Sequence, residues 1–511
     1  MTENKEGRSP DRRSLPYPRN LLGEGTMSEA HLPHRPLRWI IAAVSLCVLL
    51  LIIGSWVYLN WKGQKDLDRH FAQLRELGFS TDLRAIYNPP IPPERDILQH
   101  PAMAAEMAKP SSERAADLFS DKKTSLMGTD LFKSFSLGSF NTSTDLTGWG
   151  NNLPEPEIAR KLLQDLSAER VALKNLQPAF ERPEIKFPVT WGSLGGVEYP
   201  FVSYNFLFKQ AYEECFLMQL HGIAGDRQEM LASQKTILNV LRVMHSQRRS
   251  VSYLSSRFIT SSFTDSLREL IRRRLLETDD LKSLLSSLAA IETDSRFKNL
   301  ILGDMADSGN ANQISHYALK TDIREGWEWD WEVIKMRTRG VIQAHRPAGV
   351  NASEIVSAND LIISKLMDAS GRPDRHLTAE DAIELEKLSE QAPWVLIEGK
   401  FSHETGVTVL MELSAEQWHQ AASKITYNLE IETRLALARI GLALELHRLE
   451  HGAYPEKLVA LTPEYLPEAL ADPYHLDPFQ YEVKPDGTLR VWSTGMDRKD
   501  PQDDLVWEVK P

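Results

Sequence analysis

The sequence predicts a mostly α-helical protein with one N-terminal transmembrane helix, a helical bundle or array as ectodomain, and a small C-terminal α+β module with a short antiparallel sheet. Three observations predict it. The stretch Trp39–Leu59, WIIAAVSLCVLLLIIGSWVYL, carries no charged residue. Between Phe201 and Glu292, helix-period apolar patterns follow one another with only short breaks. Near the C-terminus, Pro485-Asp486-Gly487 separates two short β-prone runs, a hairpin signal with a turn mechanism behind it.

The chain of 511 residues has room for several domains and a large core. With 42% hydrophobic and 25% charged residues it is an ordinary globular mixture, which argues against wholesale disorder. A net charge of -12 leaves no electrostatic footprint for gripping phosphate backbones, so nucleic acid is not an expected partner. The two cysteines, Cys47 in the apolar stretch and Cys215 in a distant helical pattern, supply no disulfide framework.

Taken in order, residues 1–38 form a basic tail rich in Pro, Arg, Ser and Gly, which is expected to be disordered and cytoplasmic. Residues 39–60 are the transmembrane helix. At about 1.5 Å per residue, the apolar stretch matches the roughly 30 Å of a hydrocarbon core. Arg38 and Lys62 close it, and Trp39, Trp56, Tyr58 and Trp61 stand near its ends, where amphipathic rings favour the interface. It is longer than a signal-peptide core and no small-residue cleavage site follows, so it reads as an uncleaved anchor. Lys5, Arg8, Arg12, Arg13, Arg19, Arg35 and Arg38 favour an N-in orientation, with the large domain outside.

Residues 61–110 comprise a juxtamembrane helix and a Pro-rich spacer. Leu67, Phe71, Leu74 and Leu77 make one helical stripe, Gly78 is a stop, and YNPPIPPERD reads as extended. Residues 111–425 form the mainly helical ectodomain. Residues 120–152 read as an irregular connection, and Pro154 and Glu155 open a helix, EPEIARKLLQDLSAERVALKNL. Four further helical patterns follow from Phe201, with Asp226 and Asp279 as expected caps. Trp327, Trp329 and Trp331 alternate like strand residues and are expected to pack an exposed edge. Thr378–Leu388 opens like a capped helix, and a long helix runs from Ser414 to His451, stopped by Gly452.

Residues 426–511 have a different texture. The long helix leads to Gly452, Tyr454-Pro455, Leu458 and Leu461. Asp477-Pro478-Phe479, Tyr481, the turn at Gly487, then Ser493 and Gly495 follow. This order resembles the C-terminal half of the major pseudopilins of type II secretion systems. The resemblance implies a small antiparallel sheet and a calcium-binding acidic loop, here Asp497, Asp500, Asp503 and Asp504, whose hard oxygens suit Ca²⁺. It does not extend to the anchor: the span has no Glu and lies far in sequence from the C-terminal helix. The whole arrangement of anchor, PP-x-PP spacer, helical middle and this tail resembles a bacterial membrane-anchored family that brings no activity with it. The two resemblances together imply a bacterial inner membrane, with other envelope proteins as partners.

His447, Glu450 and His451 fit H-x-x-E-H, the inverted zinc-peptidase motif, with both histidines on one helical face. The ordinary alternative is a helix end, where His451 meets free carbonyls. Arg272, Arg273 and Arg274, with Arg268 one turn away, read as a solvated face able to touch an acidic partner. His100, His245, His316 and His345 are scattered singly, and no phosphate-binding or nucleophile-elbow motif occurs. Three readings follow. The first is a non-enzymatic interaction or scaffold protein of the bacterial envelope linked to secretion. The second is a membrane-tethered metal-dependent hydrolase built on residues 447–451. The third is a calcium-stabilised pseudopilin-like subunit.

Overall fold

The computed structural model describes residues 35–78, 90–127, 155–186, 190–191, 197–198, 201–246, 250–291, 348–367, 375–391, 413–499 and 504–510. The tail before residue 35, the spacer residues 79–89, Gly192, Gly195, Gly196, His316, Trp327, Trp329, Trp331, His345, Asp500 and Asp503 lie outside them. The chain divides into two compact units, Met1–Trp56 and Val57–Pro511.

In the first unit the described residues belong to α1 (Arg35–Glu76), and their large apolar side chains face outward, with Trp39 77% and Leu51 69% exposed. A helix apolar all round requires apolar surroundings. This one is long and apolar enough to cross a membrane. The expected juxtamembrane helix is not separate from the span. Nothing between Leu59 and Gln64 breaks a helix except a single glycine, Gly63, and α1 runs through it.

In the second unit α1 becomes one-sided. Leu67, His70 and Leu74 are buried, as their spacing along one face demands. The same stretch meets α10 (Ala348–Leu366). Ser353 Oγ donates to Asp66 (2.8 Å), and the Asn359 amide lies 3.3 Å from His70 Nε2. The spacer does not stay extended. Its described end folds onto the body because Asp96 accepts the backbone N–H groups of Leu98 and Lys186, each at 3.1 Å. Ile97 behind it is fully buried.

Two short helices follow, α2 (Pro101–Met107) and α3 (Ala115–Met127). The irregular connection expected from residue 120 is therefore helical as far as Met127. Buried Ala116 and Phe119 on α3 are held in the core, and tertiary packing overrides the weak local pattern. The single helix expected from Glu155 is two, α4 (Pro156–Asp165) and α5 (Ser167–Lys174). Leu166 breaks it, with ψ 12° and its side chain wholly in the core.

The centre is a helical bundle. α6 (Phe201–Ala224), α7 (Arg227–Ser246) and α8 (Ser250–Arg272) pack on one another in sequence order. α9 (Thr278–Ala289) is capped at Glu277, whose N–H donates to Asp280 Oδ2 (3.0 Å), so Asp279 is a first-turn residue and not the cap. Before α11 (Ala379–Gln391), Thr378 N–H donates to Asp381 Oδ2 (3.0 Å), the expected capped opening. The long α12 (Leu413–His451) is the axis of the unit. α8, α9, α10 and α11 all pack on it, and from Leu429 to Leu446 it is buried on nearly every side.

The C-terminal sheet leans on the same helix. β1 (Thr190–Trp191) and β2 (Val197–Glu198) form a separate two-residue pair. β3 (Gln480–Val483), β4 (Leu489–Ser493) and β5 (Leu505–Val509) form an antiparallel sheet in the order β3-β4-β5. The turn at Lys484–Thr488 closes as its composition predicts, with Gly487 N–H on Lys484 O (2.9 Å) and Thr488 N–H on Asp486 Oδ1 (2.9 Å). β4 alternates buried Leu489, Val491 and Ser493 with half-buried residues, and the buried face meets α12. α12 passes without a break through residue 426, so the C-terminal module shares its helix with the bundle.

Candidate functional site

A cavity of about 620 Å³ opens where α8 ends, α12 ends and β3 begins. Gly452 makes it. Its φ of +79° is a backbone conformation that costs glycine nothing, and with Gly452 N–H on Arg448 O (2.8 Å) it ends α12 and turns the chain back along the helix. Tyr454 is thereby laid beside Glu445, and its hydroxyl donates to Glu445 Oε2 (3.2 Å). Arg448 grips the same carboxylate in two-pronged fashion, Nε at 2.8 Å and Nη2 at 2.6 Å. Across the opening Tyr481 of β3 donates to Pro455 O (2.7 Å), which pins the Tyr-Pro turn to the sheet.

These pairings set the electrostatics. Burial, then the neighbouring Glu445 charge, pushes the Tyr454 hydroxyl up to about 12, and burial pushes Tyr481 to about 12. Both are neutral donors under all ordinary conditions. Glu445 raises the Arg448 guanidinium above its usual value, and Glu269 does the same for Arg272.

Of the expected basic cluster, Arg272 and Arg273 are both held by Glu269, and Arg268 by Asp265 and the carbonyl of Val506. Arg274 differs. It stands at φ 57° just past α8, where its N–H reaches Ile271 O (2.9 Å) and the next N–H, of Leu275, reaches Leu270 O (2.9 Å). It is exposed and lines the cavity, and among the described residues no hydrogen bond or ion pair holds its guanidinium.

No family model, curated protein or solved structure matches this chain.

Some of the residues that carry the pseudopilin resemblance meet in this region. Tyr454, Pro455, Tyr481 and Gly487 line the cavity, while Leu461 and Phe479 are buried in the core. Gly495 O accepts His475 Nε2 (2.9 Å) at the far end of the sheet. Of the candidate calcium residues, Asp497 Oδ1 accepts the backbone N–H of Lys499 (2.8 Å), and Arg498 between them pairs with Asp477 (3.0 Å). Asp504 precedes β5. Among the described residues no group of three or more His, Cys, Asp or Glu is arranged to hold a metal ion.

The H-x-x-E-H residues are engaged locally. The rings of His447 and His451 stack with centroids 4.3 Å apart. Nδ1 of His447 meets Ala453 O (2.9 Å), and Nδ1 of His451 meets His447 O (3.2 Å), the helix-end role. Glu450 accepts from Tyr465 (2.6 Å) and pairs with Lys282 (3.3 Å), which holds its carboxyl below the usual range. Of the single histidines, His245 is buried in α7 and His100 precedes α2.

The sequence reading missed a second polar cluster, inside the bundle. Glu214 is fully buried between Gln210 and Gln177, and burial raises its carboxyl above the usual range. Beside it, His221 meets Asp226 Oδ2 (3.1 Å) and is driven down to about 4, chiefly by burial. His221 is therefore neutral at pH 7. A Glu-Glu-Cys run inside an otherwise apolar helix was the available signal, since carboxylates seldom enter a core unpaired.

Proposed function

We propose that this chain is a membrane-anchored, non-enzymatic interaction protein of the bacterial cell envelope, N-terminus in, linked to secretion, and that its partner-binding face is the cavity beside β3. The observation that carries the reading is Arg274. A non-glycine residue in the left-handed region costs about 1 kcal/mol or more. Here that conformation places an exposed arginine, with no hydrogen bond or ion pair among the described residues, on a concave surface that Glu456 and Glu482 also line. The polar groups around it, Arg448, Glu445 and Tyr454, are already paired into a rigid frame, as suits recognition.

Tyrosine and arginine around a concavity are the residue types that dominate binding energy at protein interfaces. Among the described residues β3 pairs with β4 alone, so its outer edge offers main-chain groups to an extended segment. The apolar helix and the pseudopilin-like tail support the envelope setting. A photo-cross-linking residue at Val483, on that edge, tests the reading in membranes. It should give discrete protein adducts that weaken in Arg274→Glu and are missing when the same probe sits at exposed Val171 of α5. Equal labelling from Val171, or adducts indifferent to Arg274→Glu, would refute it.

A further inference from the structure

A second concavity, of about 370 Å³, lies between α9, the C-terminal half of α12 and residues 464–467. Its walls are largely apolar, with Leu285, Leu446 and Leu466 among them. Its floor contains Arg439. The other two arginines of α12 have carboxylates: Arg434 pairs with Glu430 (3.0 Å) and Arg448 with Glu445. Arg439 has neither an ion pair nor a hydrogen bond among the described residues, and its Nε is buried without a partner. Glu468 attracts it through space only, and burial holds the guanidinium below its usual value. A guanidinium cannot shed its proton to escape such a site, so the cost of desolvation stands until an anion arrives.

The surroundings select the anion. Lys282 is already taken by Glu450, which also accepts from Tyr465, so Arg439 is the one cation of the lining without a pair among the described residues, with the Glu464 carboxylate elsewhere on the same lining. A phosphate would bring more charge than one cation neutralises and would leave the apolar walls unfilled. A carboxylate matches the planar fork of arginine, and an aliphatic body matches the walls. We propose that this cavity binds a small organic monocarboxylate with an apolar body, its carboxylate on Arg439 and its hydrocarbon part against Leu285, Leu446 and Leu466. The site is separate from the cavity beside β3 and does not depend on the reading given to it.

Hexanoate is a suitable probe, with hexanamide as its uncharged isostere, titrated calorimetrically into the full chain in lipid nanodiscs. Hexanoate should bind saturably, at least about tenfold more tightly than hexanamide, and about tenfold or more weaker to Arg439→Met. Without ligand, Arg439→Met should melt at or above the wild-type temperature, because a buried charge with no partner has been removed. The proposal is overturned if wild type fails to bind hexanoate or binds hexanamide as well. It is also overturned if Arg439→Met keeps the affinity or melts lower unliganded. The comparison of the two probes on wild type needs no variant, so a misfolded substitution leaves the test intact.

Discussion

Replacing Gly441 by alanine should destabilise the protein, although the same change in an exposed helix would stabilise it. Gly441 lies in the buried middle of α12, and a Cβ placed there would stand 2.4 Å from Nε1 and Cε2 of Trp507 and 2.7 Å from Cζ2. Trp507 belongs to β5, is 3% exposed, and its strand touches both α8 and α12, so its ring has no free side to which it can swing. Helix propensity favours alanine by about 1 kcal/mol. Overpacking of a filled core costs about 1–3 kcal/mol, and separations this short belong at the upper end. The net expectation is a loss of about 1–2 kcal/mol, read as a lower urea midpoint by far-ultraviolet circular dichroism of the full chain in nanodiscs. Trp507→Phe should cost stability alone yet relieve Gly441→Ala, giving a coupling of about 1 kcal/mol or more in a double-mutant cycle. A raised midpoint in Gly441→Ala, or strict additivity of the pair, would show that the sheet does not rest on α12 through this contact.

Three further outcomes follow from buried charge. Burial pushes the Asp381 carboxyl up, but Thr378 N–H, Arg375 and Lys365 together pull it below its usual value. Its contribution is therefore present above the ordinary carboxylate range and lost as pH falls through it. Asp381→Asn should cost about 1–2 kcal/mol at pH 7, with the deficit vanishing in acid titrations. His221 is neutral in the fold, with a value of about 4. The unfolded chain takes up the proton near 6.5, so stability declines as pH drops between those values. His221→Gln should flatten that decline by on the order of 3 kcal/mol in pH-dependent unfolding. Lys123 on α3 meets the buried Glu213 of α6, and burial already raises the Glu213 carboxyl. Lys123→Met should cost about 3–5 kcal/mol near neutrality. Stability should recover in acid or with Glu213→Gln, and a variant equally unstable at every pH would contradict the pairing.

Features legible in the sequence were those set by local chemistry. The uncharged run before Asn60 announces its own solvent. The capping pair at Thr378 and Asp381, the stop at Gly452 and the turn at Asp486-Gly487 each close through hydrogen bonds between near neighbours, so short windows contain their reasons. The expectations that failed concern longer-range balance. Asp279 was one of several acids around the start of α9, and only Arg227 of the neighbouring helix, paired with both Glu277 and Asp280, shows which of them organise the turn. The spacer folds back because Asp96 finds backbone donors at Lys186, a partner no local window contains.

The candidate site divides in the same way. Arg272, Arg273 and Arg274 are one run in the sequence, and nothing in it separates them. Glu269 one turn earlier claims two, and the left-handed end of α8 directs the third into a cavity shared with Tyr454 and Tyr481. Arg434 has Glu430 one turn earlier on the same helix, whereas Arg439 has no acid at that spacing, and only the packing of other elements on α12 leaves it in a cavity without a carboxylate. By itself, the amino-acid order determined the apolar span, most of the helices and the hairpin turn, because those depend on side-chain period and neighbouring groups. Tertiary structure alone decided which charges are buried, which pairs form between helices, such as Lys123 with Glu213 and Arg227 with Asp280, and which cavities hold a charge without a pair. A charge's energy depends on every dipole and solvent-excluding surface around it, and these come from elements far apart in the chain.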